Sequence, residues 1–269
     1  MSRIAKRFEQ LATSHRTALI PYITGGDPAP EITVPLLHAL VDAGADLLEI
    51  GVPFSDPMAD GPVIQAACER ALKHHTSLKD IFAMVKQFRE QDRETPVILM
   101  GYLNPIEVMG YADFARLANE AGVDGVLTVD LPPEEAEDLV KQLKLVQLDA
   151  IFLAAPTSDE DRLRAMDKLG GGFLYYVSFK GVTGASQLDV SAVENKLKMI
   201  RQVSRLPVGV GFGIRDPQSA AQVAQVADAV VVGSVLVKKI AELEQSPEKI
   251  PGEVAGILSG MRQAMDNNG

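Results

Sequence analysis

The chain has 269 residues, 46% of them apolar and 23% charged, with a formal net charge of −10, a balance that fits a soluble globular protein and excludes the disordered and fibrous classes. It argues against a nucleic-acid partner, which needs clustered Lys and Arg, yet leaves room for a small phosphorylated ligand held by backbone N–H groups. The single cysteine, Cys68, excludes an internal disulfide and a cysteine metal cluster and makes a reducing cytoplasm the natural compartment.

At the N-terminus, Ile4, Phe8 and Leu11 follow helical spacing among Arg3, Lys6, Arg7 and Arg16. This predicts a short amphipathic helix rather than a signal peptide. No apolar run approaches the roughly 20 residues needed to cross a membrane. Eight short aliphatic runs follow: Ala18 to Ile23, Asp46 to Ile50, Val97 to Met100, Gly125 to Val129, Ala150 to Leu153, Phe173 to Val177, Val208 to Val210, and Ala229 to Val232. Between them lie helix-periodic segments such as Val34-Leu37-Leu40-Val41, Ile81-Met84-Val85-Phe88, Phe114-Leu117-Ala118-Ala121 and Val193-Leu197-Ile200-Val203. Strand and helix in alternation predict a parallel sheet with its crossover helices outside, and eight such units close into a barrel. The expected fold is therefore α/β, a TIM (β/α)8 barrel with an extra N-terminal helix, in one domain over residues 1–269. Ala43-Gly44-Ala45-Asp46 and Ala121-Gly122-Val123-Asp124 each precede a strand, with the glycine suited to a left-handed helix end. About fifty residues separate the second and third strands, and a Pro-rich acidic loop falls in that gap.

Within the second run, Glu49 interrupts an apolar strand and leads into Val52-Pro53-Phe54-Ser55-Asp56-Pro57-Met58-Ala59-Asp60-Gly61-Pro62. A carboxylate there loses hydration, so its pKa is expected to rise. If Leu48 and Ile50 pack on the helices, Glu49 points into the barrel mouth, where active sites of such barrels lie. The catalytic reading is favoured over a buried ion pair, because the eight runs contain no Lys or Arg. Asp60 is either a second catalytic carboxylate or a cap for the helix that begins near Pro62. Asp56 fits a turn or a partner contact. One of Tyr175 and Tyr176 faces inward, to meet a reacting oxygen or simply to fill the core, the second being the usual role of a lone tyrosine. Gly181-Val182-Thr183-Gly184-Ala185 fits a lid or a plain surface loop, and Lys180 beside it reads as a surface cation. Gly209-Val210-Gly211-Phe212-Gly213 and Gly233-Ser234 stand at the ends of the seventh and eighth strands, the recurrent phosphate position of these barrels. The histidines at 15, 38, 74 and 75 show no grouping with carboxylates, and no metal is expected.

Three motifs carry a family resemblance: Leu48 to Pro62, Gly181-Val182-Thr183-Gly184, and Gly211-Phe212-Gly213-Ile214 with Gly233-Ser234. On these the chain resembles the tryptophan synthase alpha subunit family. The resemblance implies cleavage of indole-3-glycerol phosphate to indole and glyceraldehyde 3-phosphate. It makes Glu49 the acid–base residue, Asp60 the group that holds the indole N–H, and Tyr175 a neighbour of the reacting oxygens. It also implies substrate binding at Thr183, with phosphate on Gly184, Gly213, Gly233 and Ser234 and the ring among Tyr22, Met100, Leu127, Leu153 and Phe212. The family partner is a beta subunit that carries pyridoxal phosphate and receives indole in an alpha-beta-beta-alpha tetramer. The alpha chain has no cofactor of its own, and Pro53 and Asp56 match positions at the partner contact.

Overall fold

Eight parallel strands close into a barrel in the computed structural model of the chain, which describes residues 2–177, 190–211 and 213–267. They are β1 (Ala18–Thr24), β2 (Leu48–Gly51), β3 (Val97–Gly101), β4 (Gly125–Thr128), β5 (Asp149–Ala154), β6 (Leu174–Val177), β7 (Val208–Gly211) and β8 (Ala229–Val232). Each pairs with its neighbour in sequence, and Ala18 opposite Ala229 joins the last strand to the first. The period-two pattern divides their side chains. Leu19, Ile23, Leu48, Ile50, Leu99, Val210 and Val230 face outward and pack under the helices. Ile20, Leu47, Ile98, Leu127, Ile151, Phe173 and Val231 fill the interior.

The N-terminal helix, Arg3–Thr13, plugs one end of that interior. Ile4, Phe8 and Leu11 are buried in the same cluster as the inward strand residues, and the Phe8 ring lies 5.6 Å from that of Phe173. Ser2 caps this helix and also donates a 2.6 Å bond to Asp149, the first residue of β5. The helix therefore closes the barrel at the start of the strands, opposite the mouth.

The repeated Gly-x-Asp signature stitches that closed end. Gly44 and Gly122 have φ of 101° and 91°, a conformation favoured by glycine. Their missing side chains also make room, since a Cβ at either would lie 2.7 Å from Arg262 or 2.8 Å from Arg89. Each arginine pairs with the aspartate two residues on: Arg262 with Asp46 at 3.2 Å and Arg89 with Asp124 at 2.8 Å. Each aspartate accepts the N–H of a neighbouring strand, Asp46 from Leu19 and Asp124 from Val97, and Asp228 does the same for Val208. Because Asp46 acts in this way, β2 begins at Leu48 rather than at Asp46. The wide spacing between β2 and β3 holds two helices, Pro62–Lys73 and Leu78–Phe88, where a simple repeat has one. No described helix is long and apolar enough to cross a membrane.

Candidate active site

Glu49 faces the barrel interior in register with Tyr22 on β1 and Ile98 on β3. It is only 2% exposed, and neither carboxyl oxygen has a hydrogen-bond partner. No described cation forms an ion pair with it, so the buried-pair alternative finds no partner among the described residues. Burial first, and then the negative charge of Asp60, push its pKa up to about 8. A carboxyl group in that range is largely protonated at neutrality and can both give and take a proton.

Asp60 closes a turn in which its N–H bonds the Pro57 carbonyl at 3.0 Å. The helix that follows starts from Gly61 with no side-chain cap, and Pro62 supplies its first turn. The Asp60 carboxylate instead accepts a 2.8 Å hydrogen bond from the Tyr102 hydroxyl. Burial raises its pKa and that bond opposes the rise. Asp56 is exposed and accepts a bond from the Ser55 hydroxyl, while Pro53 is buried. Of these two positions only Asp56 presents surface.

On β6, Tyr175 faces inward beside Phe173, and Tyr176 packs under the helices. Burial, together with the charges of Glu49 and Asp60, holds the Tyr175 hydroxyl well above its ordinary range, so it stays protonated as a donor. Tyr22 is buried against Ile64, Cys68 and Val237, with its hydroxyl 3.2 Å from that of Thr24. Both tyrosines lie across glycines on the next strand. A Cβ on Gly51 would meet the Tyr22 oxygen at 2.1 Å, and one on Gly211 would meet the Tyr175 oxygen at 2.2 Å. Met100 and Leu153 line the inward face partly buried, and Leu127 is fully buried beside them.

Gly213 follows β7 with φ of 79°. Gly233 follows β8 and is the N-cap of helix Ser234–Glu242, where no side chain caps the first turn. Amide groups at such a helix start are the usual cradle for an anion. Thr183, Gly184 and Phe212 lie outside the described residues, as does the whole Gly181-to-Ala185 segment. Sequence reasoning passed over Tyr102. The available signal was its position immediately after β3, the strand end at which such barrels carry their chemistry.

Fold and site together define a (β/α)8 barrel with a buried, unpaired carboxyl group, Glu49, and a second carboxylate, Asp60, at its mouth. The family model described as Tryptophan synthase alpha chain matches residues 8–266. Proteins of that name from Thioalkalivibrio sulfidiphilus and Nitrosococcus oceani are 64% and 62% identical to this chain; each match covers 99% of it and 100% or 98% of the relative. A crystal structure of tryptophan synthase subunit alpha from Legionella pneumophila superposes with a TM-score of 0.94 at 48% identity, covering 99% of both chains. The chain belongs to the tryptophan synthase alpha chain family. Its reaction is the cleavage of indole-3-glycerol phosphate to indole and glyceraldehyde 3-phosphate in tryptophan biosynthesis.

Proposed function

We propose that Glu49 and Asp60 divide this retro-aldol cleavage between them. Glu49 starts protonated and gives its proton to the indole ring carbon that bears the side chain. The resulting carboxylate then takes the proton of the side-chain hydroxyl as the carbon–carbon bond breaks. The bonding electrons return to the ring, indole leaves, the hydroxyl carbon becomes the aldehyde, and Glu49 ends protonated as it began. Asp60 accepts the indole N–H and opposes the positive charge that ring protonation places on that nitrogen. Tyr175 donates to the reacting oxygen. The phosphate rests on Gly213, Gly233 and Ser234, with Gly184 and Thr183 on the opposite loop, and the ring lies among Tyr22, Met100, Leu127, Leu153 and Phe212.

The observation that carries this reading is the Glu49 carboxyl group: buried, without a cation, and raised to about 8. Glu49→Gln keeps shape and polarity and removes the proton exchange. It should bind a non-cleavable substrate analogue normally and release no indole; near-normal turnover in the variant would end the assignment.

A beta subunit is the proposed partner, carrying pyridoxal phosphate and receiving indole in an alpha-beta-beta-alpha assembly in the cytoplasm. Support comes from the family itself and from a similar solved structure, a tryptophan synthase complex from Pyrococcus furiosus, at a TM-score of 0.80 and 36% identity over 91% of this chain and 97% of that one.

A further inference from the structure

Beyond the two carboxylates, one side chain sits between the mouth and the loop that carries Asp60. Tyr102 is 3% exposed, and a buried hydroxyl is costly unless it is bonded. Here it is bonded twice. It accepts the N–H of Ala59 at 3.0 Å and donates to the Asp60 carboxylate at 2.8 Å. The two bonds run in one direction, amide to hydroxyl to carboxylate, so each strengthens the other. The Phe54 ring stacks on the tyrosine with centroids 5.2 Å apart and fixes its plane from the start of the same loop. Among the described residues, no other side chain hydrogen-bonds the Asp60 carboxylate.

We propose that Tyr102 is a positioning residue for the cleavage reaction: its hydroxyl, held between the Ala59 amide and Asp60, aims that carboxylate at the place of the indole N–H. This rests on Asp60 having the role given above. A carboxylate free to rotate would meet the ring nitrogen in only part of its rotamers. One that has lost a hydrogen bond to its charged form also protonates at higher pH. The other titratable groups that share its surroundings are Glu49 on β2, Tyr22 on β1, Tyr175 on β6 and Cys68 on helix Pro62–Lys73.

Tyr102→Phe keeps the ring, its burial and the stack on Phe54 and deletes only the hydroxyl. The test is steady-state and single-turnover cleavage across pH for the wild type, Tyr102→Phe, Asp60→Asn and the double variant. The expected result is a fall in kcat of about tenfold for Tyr102→Phe, the size set by one hydrogen bond to a charged group. KM should change little and the acid limb of the profile should move to higher pH. In the Asp60→Asn background the same change should add almost nothing. Wild-type kcat with an unmoved acid limb, or a loss confined to thermal stability, overturns the role of Tyr102 while a crippled Asp60→Asn leaves the cleavage reading standing. Normal turnover by Asp60→Asn overturns both, and only that arm reports it.

Discussion

The Glu49 carboxyl group binds its proton more tightly in the folded chain than in the unfolded one, where its ordinary value is 4.5, against about 8 in the structure. Between those two values the native state therefore holds more protons, and stability falls as pH rises through that window. The full difference corresponds to roughly 3–5 kcal/mol at about 1.4 kcal/mol per pKa unit. Glu49→Gln removes this dependence: thermal melts should show the variant more stable than the wild type above pH 8 and nearly equal to it near pH 4. In the proposed mechanism catalysis shares the same proton, so kcat/KM should decline above about pH 8, the basic limb tracking Glu49. Since the Asp60 charge contributes to raising Glu49, Asp60→Asn should draw that limb downward in whatever turnover remains. Glu49 could be read from sequence because a carboxylate within a run of aliphatic residues is conspicuous on its own. The bond between Asp60 and Tyr102 could not, because it joins residues 42 positions apart that the pairing of β2 with β3 brings together.

At the scale of elements, aliphatic runs disclosed the strands, which bury both faces, and helical spacing disclosed the crossovers, which bury one. The start of β2 was hidden because its limit depends on partners from other segments, whereas both helices after it, at Pro62 and around Ile81 to Phe88, were legible. Asp46 leaves the strand to bind Leu19 and Arg262, and helix Pro62–Lys73 packs against β1 and the helix after β8. The stitched aspartates should behave as structural parts. Asp124→Ala leaves the Val97 N–H and the Arg89 guanidinium buried without their acceptor. The expected loss is about 3–5 kcal/mol in urea denaturation, with kcat of the folded fraction unchanged. Gly51 offers the opposite test at the mouth. Its Cβ would occupy the place of the Tyr22 oxygen, so Gly51→Ala should displace that ring and raise KM for indole-3-glycerol phosphate, while an unaltered KM would show that the tyrosine yields without affecting the site.

Across the whole molecule, the ends of the barrel have separate duties. The closed end carries the N-terminal plug and the Arg–Asp pairs, which can be optimised for stability because no substrate enters there. The mouth carries the buried unpaired carboxyl group, a feature that lowers stability and stands at the proposed site of chemistry. Of the large apolar side chains exposed among the described residues, Met58 and Val108, 80% and 84% exposed, belong to segments that follow strand ends at the mouth, while Leu145 and Met199 lie on helices Glu137–Leu145 and Val190–Val203. Large apolar side chains so fully exposed on the end that must release indole fit a surface covered by the proposed beta subunit. Val108 stands on helix Leu103–Met109, apart from the carboxylates. Val108→Asp should therefore leave indole release by the isolated chain intact and weaken association with the beta subunit by about tenfold or more, the effect of removing one buried apolar contact and adding a desolvated charge. Titration calorimetry against the beta subunit measures this directly. Unchanged affinity would move the contact off this helix and leave Asp56 and its loop to carry it.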